Sequence, residues 1–307
     1  VAGLAKNVAV EKLDGRVVPL LRELGNLKRI QSAGRSGSIA TRLFEAAWAA
    51  WLDGADRRDI AIRTMAAGLA AARMGDLDHA KLCTLGVSRN EAERVLAKAL
   101  DELAPVLEPD LAQALKHALG SPLPPAGELP TPIAALRHQP RAGVTAPGKP
   151  RIMLQPEENH AEHCLIVALY AGVLAPQFNA DEATAFWHGM VHHLHSAAMP
   201  DAGFTGEILL GDRLNDVIAT AREQALAELP DGVAACCRQG FAEIAGSEKA
   251  AARAFHAADV IDRVLEIEHH LSQSRVTMQL VLEDYELVHE GPIKSFHDRV
   301  LAEVGLP

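Results

Sequence analysis

Eight of the chain's 17 prolines fall between Ser121 and Pro150: Pro122, Pro124, Pro125, Pro130, Pro132, Pro140, Pro147 and Pro150. Proline fixes φ and removes a backbone donor, so no continuous helix crosses this stretch. It reads as an extended connector with one short helical turn around 133–137. The chain then divides into an N-terminal region 1–120, a connector 121–150 and a C-terminal region 151–307.

Both flanking regions read as helices. Alanine and leucine abound, aromatics make up only 4%, and no segment alternates as a strand would. The expectation is an all-α protein, long enough for two domains or one large one. Ser88 and Glu91 have capping-box spacing and open a helix to about Leu103. Asn179 and Glu182 give a similar signal for a helix to about His195. Its apolar positions Ala183, Phe186, Trp187, Met190, Val191 and Leu194 follow helical spacing. Ser247 is a cap for a helix carrying Asp259 and Asp262, Pro292 suits the first turn of a last helix, and Gly203 and Gly206 mark a loop. An ungapped offset of 121 residues lays 38–69 over 159–190, so that Ala40, Ala47 and Gly68 meet Ala161, Ala168 and Gly189. That pattern fits an old duplication whose first copy carries Arg42, Ala71 and Ala72 at the histidine positions. The plainer reading is that alanine-rich helices align easily with one another.

The formal charge is −10, which disfavours general nucleic-acid binding. A small phosphate ester remains compatible if a metal or a local arginine supplies positive charge. Cys83, Cys164, Cys236 and Cys237 form no CxxC pair, as in a reducing compartment. No apolar run reaches the roughly 18 residues of a membrane span, and Val1 to Val10 lack the basic region and apolar core of a signal peptide. A cytoplasmic protein is expected, with a homodimer left open.

Six of the 14 histidines lie between positions 160 and 195: His160, His163, His188, His192, His193 and His195. Neutral imidazole is the commonest side-chain ligand for transition metals. The cluster is a candidate metal site, the alternative being a polar helix face. Cys164 adjoins His163 but points about 100° away on a helix of 3.6 residues per turn, which suits core packing.

Three pieces carry the pattern: Pro156-Glu-Glu-Asn-His-Ala-Glu-His163 opening one helix, Gly189-Met-Val-His192-His193 near the end of the next, and Phe255-His-Ala-Ala-Asp259 on a third. In order and spacing, over 151 to about 271, they resemble the HD superfamily of metal-dependent phosphohydrolases, and within it the bacterial 5′-deoxynucleotidase-like subgroup. The resemblance implies an HD-domain-like helical bundle over 151–307, with an additional N-terminal helical region. It implies His163, His192 and Asp259 as metal ligands, with His193 standing where the family has aspartate. A set of three histidines and one carboxylate suits one divalent Fe, Mn, Zn, Ni or Co better than Mg. Arg151 would face a substrate phosphate through its guanidinium, or be a solvated linker residue. Asp201 would orient water or a substrate hydroxyl, or be a turn residue. Glu162, His195 and His256 would support the ligands, while His160, His269 and His270 read as solvated. Ser196 replaces the glutamate that helps position water in the subgroup. The implied activity is hydrolysis of a small phosphate ester such as a nucleoside monophosphate. A non-catalytic scaffold or sensor is the alternative that His193 and Ser196 favour. A di-iron oxygenase is a third reading, opposed by the lack of histidines from 196 to 255.

Overall fold

The computed structural model describes residues 13–271 and 277–307, so Val1 to Val10, read above for targeting signals, lie outside the described residues. Helices α1 (Val18–Gly25), α2 (Ile39–Leu52), α3 (Arg57–Met74), α4 (His79–Thr84), α5 (Arg89–Leu103) and α6 (Pro109–Ala118) precede the proline-rich stretch. That stretch holds α7 (Thr131–Leu136). Then come α8 (His160–Leu174), α9 (Glu182–Val191), α10 (Gly203–Leu210), α11 (Leu214–Leu226), α12 (Asp231–Ile244), α13 (Ala250–Leu271), α14 (Met278–Glu283) and α15 (Lys294–Val304). The fold is all-α. Among the described residues the only β pairing is isolated bridges.

Helix α8 is the axis of the molecule. Asn159 and Glu162 close a capping box at its start, and all of its residues are buried. It is apolar all round because α2, α3, α9 and α13 pack against it on every side. Each buried Leu, Ile or Val there contributes ~1.5–3 kcal/mol. By length and apolarity the run His160–Phe178 passes for a membrane span, but 89% of that window is buried inside the protein, as in a core helix. One hydrophobic cluster runs from Leu13 to Leu306 and draws on helices from both sides of the proline-rich stretch. Within it Trp51 of α2 meets Trp187 of α9, with ring centroids 4.4 Å apart.

Several local expectations need correction. Asp181, not Asn179, caps α9, and Asn179 ends the preceding 3-10 turn in the left-handed region. Helix α9 stops at Val191, and a separate 3-10 turn holds Leu194–Ala197. Ser88 does precede α5, but its side chain makes no cap hydrogen bond. Helix α13 starts at Ala250, past Ser247, and α15 starts at Lys294, past Pro292. Gly203 and Gly206 lie inside α10 rather than in a loop. The offset of 121 aligns the caps Ser38 and Asn159, but it sets the start of α3 at Arg57 against Phe178, four residues before α9 begins.

The connector does more than span. Val144 and Ile152 exchange backbone hydrogen bonds at 3.0 and 2.9 Å, which folds 140–159 back over the start of α8. Gly143 permits this: its φ is +73°, and a Cβ there would lie 2.3 Å from the Ile152 carbonyl oxygen.

Candidate metal centre

Helices α8 and α9 cross closely because Gly189 has no side chain. A Cβ there would sit 2.5 Å from the Ala168 backbone. This crossing places His163, in the first turns of α8, opposite His192, which caps the end of α9. Helix α13 lies across both and presents Asp259 and Asp262, three residues apart and so on one face.

His163 Nδ1 donates to Asp262 Oδ2 at 2.9 Å, and His192 Nδ1 donates to the Gly189 carbonyl at 2.6 Å. Both acceptors lack protons of their own, since Asp262 is held below the usual carboxylate range, against its burial, by Lys28 and His163. Each neutral ring therefore keeps its proton on Nδ1 and turns a lone pair inward from Nε2. The two Nε2 atoms lie 3.1 Å apart. Asp259 Oδ1 lies 3.4 Å from the first and 4.0 Å from the second. With both rings neutral these three atoms face one another as acceptors, an arrangement that either a proton on His163 Nε2 or a metal satisfies, and the residues fit a metal. Burial lowers His192 to about 3, with His163 adding to the effect, so this ring stays neutral. His163 is raised instead, because hydrogen bonds to Asp259 and Asp262 prevail over burial and Arg141. A metal there displaces a proton.

A family model described as the HD domain matches residues 133–298, just over half of the chain. The chain belongs to the HD-domain family. No curated protein and no solved structure matches it significantly. The HD segment starts inside the connector, and so includes the fold-back over α8. HD domains typically bind divalent metals, and in this segment two sets of donor atoms, His163–His192–His193 and Glu158–His163–Asp262, each lie within 4.8 Å of one another.

The HD segment also brings His193 in: donor atoms of His163, His192 and His193 all lie within 4.8 Å of one another. Yet His193 Nε2 is 2.8 Å from Arg141 Nη1. A guanidinium only donates, so Nε2 is the acceptor and its lone pair is occupied. For His193 to bind a metal through Nε2, Arg141 has to let go.

The other expected residues divide sharply. Asp201 lies beside the centre, lining a cleft of about 180 Å³ with Arg141, Arg263, Glu207, Phe204 and His289. Its carboxylate accepts backbone N–H groups from Ala142 at 3.0 Å and Gly203 at 2.8 Å. Arg151 does not reach the cleft. It is exposed and donates to the carbonyls of Ala142 at 2.8 Å and Ala202 at 3.4 Å. Glu162 supports no ligand: Oε1 accepts from Ser38 at 2.6 Å and Thr41 at 3.3 Å, and Oε2 from the Asn159 amide. His256 sits by the Gly246 carbonyl at 3.1 Å. His195 is near, with its ring 5.3 Å from His193, and is lowered to about 4 by burial and by Arg222. His160, expected at the surface, is fully buried, 3.8 Å from Asp201 and with its ring 4.7 Å from His193. His270, expected in solvent, pairs with Glu266 at 2.9 Å. Cys164 is in the core, and burial raises its thiol to about 12.

Sequence reasoning missed Arg141, Glu158, Arg263 and Lys28. Arg263 holds Asp259 Oδ2 at 3.0 Å from one turn away, a spacing that was legible on α13. Arg141 gave no signal beyond being a charged residue among prolines.

Proposed function

We propose that this HD-domain protein is a metal-dependent phosphohydrolase acting on a small phosphate ester, with nucleoside monophosphates the first class to test. The observation that carries the reading is the inward convergence of His163 Nε2, His192 Nε2 and Asp259 Oδ1. Three protein ligands leave coordination positions for water and substrate, as catalytic sites do. A divalent transition metal held there supplies Lewis acidity toward a phosphoryl oxygen and makes water more acidic. Arg141 and Arg263 line the same cleft and suit the bidentate recognition of a phosphoryl group. The cleft is smaller than the ~300–1,000 Å³ of drug-sized sites, so the phosphoryl group enters and the remainder of the ester lies toward Phe204 and His289. These two rings stack at 4.1 Å. Asp201, anchored by two amides, accepts a proton or hydrogen bond from water or a substrate hydroxyl.

His193, in place of the family's aspartate, anchors Arg141 in this reading. A non-catalytic metal-binding scaffold is the second reading, favoured by the burial of Ser196, which does not line the cleft. Elemental analysis and a phosphatase screen on nucleoside monophosphates separate the two. Metal with turnover supports hydrolysis, metal without turnover supports the scaffold, and two irons per chain support an oxygenase. His192→Ala is expected to lose both metal and turnover. Full metal content in that variant would sink the site assignment.

A further inference from the structure

Lys28 closes a 3-10 turn in the N-terminal region, far in sequence from the HD segment. Its side chain is 3% exposed, although lysines are almost never fully buried unless paired. Its Nζ meets Glu158 Oε1 at 2.5 Å, Asp262 Oδ1 at 2.8 Å and Glu266 Oε2 at 3.2 Å. Asp262 and Glu266 accept hydrogen bonds from the ammonium, and Glu158 adds a third carboxylate as an ion pair. The other oxygen of Asp262 holds His163 Nδ1 at 2.9 Å. Glu158 Oε1 is itself 3.7 Å from that nitrogen. A continuous chain therefore runs from Lys28 through Asp262 to His163, whose far nitrogen faces the metal position.

Buried ion pairs stabilise a fold weakly, because desolvation offsets their attraction. Fold stability alone is thus a poor reason for an ammonium here. Removing it leaves Glu158, Asp262 and Glu266 gathered with only two guanidinium contacts, Arg29 on Glu266 at 2.6 Å and Arg141 4.0 Å from Glu158, and none on Asp262. We propose that Lys28 is a positioning residue of the metal centre: its hydrogen bond to Asp262 Oδ1 holds that side chain in place, and Asp262 Oδ2 in turn fixes the orientation of His163. The N-terminal region then supplies the cation that meets Asp262, which neither Arg141 nor Arg263 of the HD segment pairs with. The inference rests on His163 being a metal ligand, and not on which reaction the centre performs.

The test uses the full-length chain and Co2+ as the probe. Affinity is measured by competition with a chelator, and ligand geometry by the d–d absorption bands. Lys28→Met is expected to weaken Co2+ binding about 10–100-fold, the usual cost of losing an outer partner of a ligand, and to shift the bands. If Lys28→Met does not fold, Lys28→Gln/Glu266→Gln decides, since it removes one charge of each sign. Arg22→Gln, which breaks only an exposed pair with Glu268, should leave both readouts unchanged. In the unaltered chain, metal should slow hydrogen–deuterium exchange at the Arg29 and Ile30 amides, which close on the Asn26 carbonyl. Wild-type affinity and bands in a folded Lys28 variant, or exchange at 29–30 indifferent to metal, would overturn the proposal. A wild-type chain that binds no Co2+ would overturn the metal reading beneath it.

Discussion

Arg141 donates from Nη1 to His193 Nε2 at 2.8 Å, at the edge of the cleft beside His163. The contact holds a permanent cation where a phosphoryl group would arrive, and occupies the lone pair through which His193 would otherwise bind metal. Burial opposes the charge, but Glu158 and Asp201 outweigh it and raise Arg141 above an ordinary arginine.

Arg141→Met is therefore expected to keep its metal and to raise KM for a phosphate ester about 10–100-fold, from the loss of ~1.5–3 kcal/mol of charged hydrogen bonding. Arg151→Ala, which loses contacts to backbone carbonyls alone, should stay near wild type. Steady-state kinetics with metal analysis on both variants checks this. An unchanged KM in Arg141→Met would mean that substrate does not reach the guanidinium.

The ligands were legible because histidine and aspartate announce chemistry by type and order, and because each stands on a helix with its own start signal. What supports them was not. Lys28 approaches from α1's end through folding alone, and nothing local distinguishes it from a surface lysine. Arg141 looked like linker because prolines surround it, whereas the bridge between Val144 and Ile152 turns that linker into a cleft wall. Glu162 was misread although its signal was present: Asn159 stands three residues before it, the capping-box spacing. A glutamate beside a histidine ligand drew the chemical reading, and the backbone had already claimed it.

Glu162→Ala should accordingly cost stability and spare the metal. It strands the hydroxyls of Ser38 and Thr41 and the Asn159 amide. The expected loss is ~1–3 kcal/mol, read as a lower urea midpoint. Metal affinity should match wild type. A tenfold loss of affinity with unchanged stability would restore Glu162 to the centre.

Gly189→Ala should do the opposite in kind. The new Cβ meets the Ala168 backbone, which cannot swing aside, so α8 and α9 must separate near His163 and His192. Overpacking of this sort costs ~1–3 kcal/mol, and metal affinity should fall with it. Gly232→Ala on α12, where a Cβ meets nothing within 4 Å, is the control and should be neutral or slightly stabilising. Urea unfolding with and without metal separates the two effects. Equal metal affinity in Gly189→Ala would show that the helix crossing does not set the ligand distance.

The acid limb of stability should belong partly to His297, at a distance from the ligands' own titration. Burial, followed by the charge of Arg263, lowers His297 to about 4. Its Nε2 is buried without a hydrogen-bond partner, and the charges of Asp259 and Asp298 offset the cost of protonation only in part. Above its unfolded value of about 6.5, both states are neutral and the residue contributes no pH dependence. Between 6.5 and 4 the unfolded chain takes up a proton that the folded chain refuses, and stability falls as pH falls. Below 4 both states carry the proton and the loss is complete. His289, also lowered to about 4, acts in the same direction. Urea midpoints between pH 7.5 and 4.5, with a chelator present, should drop less steeply in His297→Gln than in the wild-type chain. Parallel slopes for the two proteins would assign the acid sensitivity elsewhere, to the remaining buried histidines.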